Sequence, residues 1–353
     1  MESERIFYFD ALRTIAILSV VLLHVTGHLG EMMHYNALSI FSFNGLFELF
    51  MNNFTRIGVD LFFVLSGALL LGREWNIKGF LQKRIPRITK PFLFWSLIFT
   101  LMLVVASYFI PSIHFITHFT IYDILNLFVD TLLGRAQGSA VYWFFWAMFG
   151  AYLIMPVFNR WVSNAGLVEV EYFLIFWIVE TIFEYTLMMP CPVKLTYFIS
   201  PIGLVLLGYY LRHTERKVFN SPLIAIFLIV IPALLMFVYS FMMVNQVVMF
   251  EFHRYSILPI IECVGVFCLF KTSKYLNNPS NTTVKLVSSI SICSYGMYLI
   301  HSQIIMFVRK ILHISFNFTL DYLILFTVGF IISWFIIYLL SKIPYLDEFV
   351  GVK

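Results

Sequence analysis

Residues 10–28 read DALRTIAILSVVLLHVTGH, and their reading decides the fold class. The stretch is apolar over a bilayer-crossing length, yet it carries Asp10, Arg13 and His24 and closes on His28. A charge near the bilayer centre costs at least about 2.5 kcal/mol. A membrane helix that keeps such groups has a reason to keep them.

The rest of the chain agrees that this is a membrane helix. Of 353 residues, 61% are hydrophobic and only 12% charged, a balance outside the range of soluble domains. The formal net charge of +4 matters less than where the charges lie, and no nucleic-acid partner is expected. The four cysteines (Cys191, Cys263, Cys268, Cys293) form no CxxC and fall mostly in apolar runs, so they read as small buried hydrophobes. The opening helix is an anchor rather than a cleaved signal. Asp10 interrupts the expected positive region, no small-x-small site follows, and many further apolar runs do.

Apolar runs near 9–29, 57–72, 90–111, 143–160, 168–188, 196–212, 222–244, 255–271, 288–308 and 320–341 predict an all-α, polytopic membrane protein of about ten spans. Two stretches, 38–54 and 119–135, have amphipathic periodicity and are expected to lie at the interface. An even number of spans places both termini on one side. Most of the 23 lysines and arginines fall on the side of the N-terminus, which the positive-inside rule makes cytoplasmic. Arg56, Arg135, Lys194, Arg254, Arg309 and Lys310 remain for the other face. Neither repeats nor polar linkers divide residues 1–353, so a single domain is expected.

Within the first span, Arg13 and His24 are spaced R-x10-H, nearly three helical turns, so they share a face about 16 Å apart. Asp10 is placed to pair with Arg13. In the plain structural alternative, Arg13 snorkels to the headgroups and His24 bonds to a neighbouring helix. In the functional one, His24 lines a cavity as a neutral imidazole able to act as a general base. His28 gives an HxxxH pattern that recurs at His114 and His118; with no third ligand nearby, no metal is expected.

Further clusters lie elsewhere. In RIGVDLFFVLSGALLLGRE, Ser66 and Gly67 offer a small surface for close helix packing, while Arg56 and Asp60 are either an exposed ion pair or part of an acceptor pocket. Lys83, Arg84, Arg87 and Lys90 cluster at a helix start, with Pro86 and Pro91 expected to hold the backbone out of regular helix. The cluster meets anionic lipid in any case, and it is also what a polyphosphorylated ligand requires. YWFFWAMFG forms an interfacial aromatic belt. SICSYGMYLIH spaces Tyr295, Tyr298 and His301 along one helical stripe, and Glu262 is the deepest carboxylate.

Four of these segments, in order, resemble the membrane-bound acyltransferase family 3: YFDALRTIAILSVVLLH with R-x10-H at Arg13 and His24, GVDLFFVLSGALL, KRIPRITKPF with Arg84 and Arg87, and SYGMYLIH. Length and compact loops are most similar to the enterobacterial-common-antigen O-acetyltransferase type, without the extracytoplasmic esterase-like domain of other members. The resemblance implies acyl transfer, usually acetyl, from cytoplasmic acetyl-CoA to a sugar hydroxyl of a surface or exported glycan or its lipid-linked precursor. On that reading Lys83, Arg84, Arg87 and Lys90 grip the coenzyme, and Arg13 completes an anion site at the inner end of a cavity. His24 is the general base, with an acyl-histidine intermediate left open. Tyr298 and His301 line the same cavity; Asp10, His28, Asp60 and Ser66 are further candidates. The setting implied is a bacterial cytoplasmic membrane, with lipids and glycan synthesis or export proteins as partners. A glycan exporter or flippase using the same charges without acyl transfer is the competing reading, although the paired, broken helices of many transporters are not seen.

Overall fold

The computed structural model describes residues 6–36, 42–109, 120–193, 195, 198, 201–243, 252–277, 279–312 and 318–352. Among these residues there is no strand. The helices are α1 (Phe7–Asn36), α2 (Phe43–Phe54), α3 (Ile57–Leu70), α4 (Ile77–Phe109), α5 (Ile121–Leu132), α6 (Trp143–Asn164) and α7 (Leu167–Thr181). They continue with α8 (Ile202–His213), α9 (Pro222–Met243), α10 (Ile257–Thr272), α11 (Asn281–Leu312), α12 (Phe318–Leu340) and the short α13 (Asp347–Val350).

Every apolar run predicted as a span overlaps one of these helices; positions 110–111, 196–197, 199–200 and 244 of those runs lie outside the described residues. Among the described residues, seven are long and apolar enough to cross a membrane, with α2 and α3 taken as one segment, Phe43–Leu70. Helices α7, α8 and α10 have 15, 12 and 16 residues and fall short of that length. The outer surface supports a lipid setting. Leu93, Leu97, Leu101 and Val105 form an exposed row along α4, and Leu223, Phe227, Val230 and Leu234 expose α9. In water such patches drive aggregation; in lipid they face their solvent. The amphipathic stretch 119–135 contains α5, which is capped by Thr120 and exposes Ile121, Tyr122, Leu125 and Val129.

The bundle is held by close backbone approach as well as by apolar side chains. A Cβ on Gly67 would lie 1.6 Å from the Val205 carbonyl oxygen, and one on Gly208 would lie 1.8 Å from that of Val64. Helices α3 and α8 therefore touch backbone to backbone, the use foreseen for Ser66-Gly67. Helix α1 packs between α3 and α11 and runs parallel to α11. Ser291 Oγ donates to Asp10 Oδ1 (2.7 Å) near one end, and His28 Nε2 meets Ser302 Oγ (3.3 Å) further along.

One expectation is corrected. Helix α4 runs unbroken from Ile77 to Phe109 with Pro86 and Pro91 inside it. Proline removes one bond to the fourth preceding carbonyl, but the turn before Pro91 is braced from outside by Tyr295, whose hydroxyl donates to the Ile88 carbonyl (2.8 Å). Cys263, Cys268 and Cys293 are buried and all four cysteines are free, as expected of small hydrophobes.

Candidate functional site

A cavity of about 350 Å³ lies among α1, α3, α4, α6 and α11. Among the described residues, the one residue of α1 that lines it is Arg13, near the start of that helix. Arg13, Arg84 and Arg87 stand on its wall, with Ser66, Ser291 and Ser294 as smaller polar groups and Phe62, Phe144, Met148 and Tyr298 further in. Gly351 and Val352, just after α13, also contribute to the lining.

These three arginines come from two helices, Arg13 from α1 and Arg84 and Arg87 from α4, and both helices pack against α11 beside the cavity. Arg13 is held from below by Asp10, 4.0 Å from its Nη1. Arg84 lies over the Trp75 ring at 5.5 Å, and its buried Nε has no hydrogen-bond partner among the described residues. An unsatisfied buried donor costs about 1–3 kcal/mol. Three guanidinium groups lining one cavity, one with a buried donor unpartnered among the described residues, have the chemistry to bind a phosphate-bearing ligand. The other two predicted phosphate ligands do not line this cavity. Lys83 sits over Trp75 (5.3 Å), and Lys90 pairs with Glu348 (2.6 Å).

His24 does not line this cavity. It is reached through a ring contact: Tyr298, on the cavity wall, packs against His301 (5.6 Å between centroids), and His301 against His24 (4.8 Å). The Tyr298 hydroxyl is engaged with the Val141 carbonyl (2.5 Å). Hydrogen bonding assigns the protons of the two histidines. His301 Nδ1 lies 2.7 Å from the Tyr298 carbonyl, which only accepts, so Nδ1 carries the proton and Nε2 a lone pair. That lone pair faces His24 Nδ1 at 3.1 Å. His24 Nδ1 also lies 2.8 Å from the Val20 carbonyl, so it too is the donor. The outcome is a His24 Nε2 with its lone pair free, the form a base requires.

The remaining predicted residues are less central. His28 bonds to Ser302, and the Arg309 guanidinium donates to the His28 carbonyl. Asp60 is not the exposed member of an ion pair: it is fully buried, and neither oxygen has a hydrogen-bond partner among the described residues. Glu262 is buried in the same unpartnered state. Arg56 instead donates to the Phe252 carbonyl (2.7 Å) and to Asn52 Oδ1. His114 and His118 lie outside the described residues. Among the described residues no group of three His, Cys, Asp or Glu side chains is arranged to hold a metal ion.

The fold brings up residues that sequence reasoning had assigned only to topology or to an interfacial belt. Arg254, in the turn before α10, lies 3.9 Å from the Trp143 ring centre. In the same turn, burial and the charges of Arg254 and Arg56 push the His253 pKa down. A short HRY run gives no periodic signal, so only folding could assign it.

The family model described as an acyltransferase domain, Acyl_transf_3, matches residues 6–339. No curated protein and no solved structure matches the chain.

Proposed function

The chain belongs to acyltransferase family 3, and from that premise we propose that it is a membrane O-acyltransferase. It moves an acyl group, acetyl in the first instance, from acyl-CoA to a sugar hydroxyl of a surface or exported glycan or its lipid-linked precursor. The observation that carries this reading is the cavity with Arg13, Arg84 and Arg87 at one end and Tyr298, next to the His301–His24 pair, at the other.

In the proposed arrangement the arginines hold the coenzyme's phosphates at the mouth, and the narrow cavity takes the acyl-pantetheine arm. At about 350 Å³ it is at the small end of ligand sites, so the nucleotide stays outside. The donor's carbonyl comes to the inner end, where Tyr298 separates it from the histidines; a turn of that side chain opens the contact. His24 Nε2 takes the proton of the acceptor hydroxyl as its oxygen bonds to the thioester carbon. As the carbon–sulfur bond breaks, the same imidazole returns the proton to the departing thiolate. An acyl-histidine route uses the same atoms in two steps.

The experiment is an acetyl-CoA titration of the purified full chain in nanodiscs, with thiol release followed in parallel. Arg84→Gln with Arg87→Gln is expected to weaken binding at least about tenfold, since each lost charged hydrogen bond is worth about 1.5–3 kcal/mol. His24→Asn is expected to bind normally and to turn over about 10²–10⁴-fold more slowly. Absence of saturable binding by wild type overturns the reading and leaves the glycan exporter in its place.

A further inference from the structure

At the end of the bundle away from Arg13, three separate segments contribute aromatic rings to one place. Tyr185, in the π-helical turn Ile182–Thr186, stacks on His253 with centroids 4.4 Å apart and planes at 4°. Tyr255 meets both edge-on or tilted, at 5.5 and 5.6 Å, and Trp143 at 6.4 Å. From Trp143 ring contacts continue inward through Phe144 (6.0 Å), Tyr298 (4.9 Å) and His301 (5.6 Å) to His24 (4.8 Å). An unbroken aromatic path thus joins this surface to the imidazole.

The arrangement is preformed. The Thr186 hydroxyl accepts from the Ile257 amide (2.9 Å), which ties the π-turn to the start of α10, and Arg56 pins the turn at Phe252. Trp143, Tyr185, His253 and Tyr255 are each half-buried, while Arg254 and Glu184 are exposed beside them. Arg254 stacks on Trp143 and makes no hydrogen bond or ion pair with any described residue. Its position is set by the indole, and no described residue takes its donors.

We propose that this is a subsite for the acceptor, and that it takes a pyranose carrying an acidic group, a carboxylate or a phosphate. Ring faces pack on the C–H face of a sugar, while the phenol and imidazole edges meet its hydroxyls. A guanidinium held over an indole in this way can bind a carboxylate or phosphate in paired fashion. The inference rests on the acyl-transfer reading only for the direction in which the sugar's hydroxyl is presented, along the aromatic path towards His24.

The test uses the full chain in phosphatidylcholine nanodiscs and follows tryptophan fluorescence. The probes are methyl glucoside, methyl glucuronide, glucose 6-phosphate and inorganic phosphate. At least one acidic sugar is expected to bind about tenfold more tightly than methyl glucoside. Which of the two does so identifies carboxylate or phosphate as the group recognised. Arg254→Gln is expected to remove that preference, and Tyr185→Leu to weaken all three sugars several-fold. Equal binding of neutral and acidic sugars, no sugar binding, or a preference that survives Arg254→Gln overturns the proposal. So does inorganic phosphate binding as tightly as the sugars, because the rings would then contribute nothing. Coenzyme A binding on the same samples reports separately on the donor end, so loss of one reading is distinguishable from loss of the other.

Discussion

At the scale of the residue, His24 depends on its neighbours for its chemical form. Its Nδ1 proton is shared between the Val20 carbonyl (2.8 Å) and His301 Nε2 (3.1 Å), and His301 is set in turn by the Tyr298 carbonyl (2.7 Å). In the proposed mechanism His301 therefore acts as a positioning residue. His301→Gln is expected to lower kcat about tenfold or more with KM for acyl-CoA little changed, and to shift the pH profile of kcat. His301→Asn, with a shorter reach to His24, is expected to be slower still. A purely structural role for His301 would show as loss of folded protein with the pH profile of the surviving fraction unaltered. The spacing of Arg13 and His24 was legible because three helical turns return to one face. The pairing of His24 with His301 was not, because the parallel register of α1 and α11 is set by contacts far apart in sequence.

At the scale of the element, the crossing of α3 and α8 is the least forgiving. The Cβ positions of Gly67 and Gly208 fall 1.6 and 1.8 Å from carbonyl oxygens of the facing helix, so only a shift of backbone admits a side chain. Gly67→Ala and Gly208→Ala are each expected to cost about 1–3 kcal/mol, the range for overpacking, or more because backbone must move. Thermal unfolding in detergent, followed by circular dichroism, checks this. Gly150 is the control: a Cβ there meets nothing within 4 Å, so Gly150→Ala should leave the midpoint within a degree or two. The glycine in the second apolar run was readable as a packing surface. Which helix it meets was not, since α8 comes more than a hundred residues later and carries a glycine with no distinguishing context. The α4 prolines went the other way, because the Tyr295 brace is invisible from local propensity.

At the scale of the whole molecule, the arginine-lined cavity and the aromatic cluster around Tyr185 lie towards opposite ends of one helical bundle. If the bundle spans a membrane with the Arg13 end inside, a membrane-impermeant maleimide should distinguish the two ends. In a Cys191→Ser background the other three cysteines are buried. Glu184→Cys, beside Tyr185, is expected to label in sealed right-side-out vesicles. Lys217→Cys, exposed after α8, is expected to label only after permeabilisation. The reverse pattern would invert the orientation drawn from the positive-inside rule. Equal labelling at both positions would argue against a barrier between them.

What the sequence by itself determined is the set of local properties. Apolar runs place the helices, and R-x10-H puts two candidate side chains on one face of one helix. Each follows from periodicity and transfer free energy acting on neighbouring residues. Tertiary structure decided which of the basic residues share an opening, so that Arg13 joins Arg84 and Arg87 while Lys90 turns to Glu348. It decided that Tyr298 and His301 stand between the cavity and His24, and that Arg254 comes to rest on Trp143. Those facts depend on which helix faces meet. Packing of distant segments sets them, and no local pattern in the chain encodes them separately.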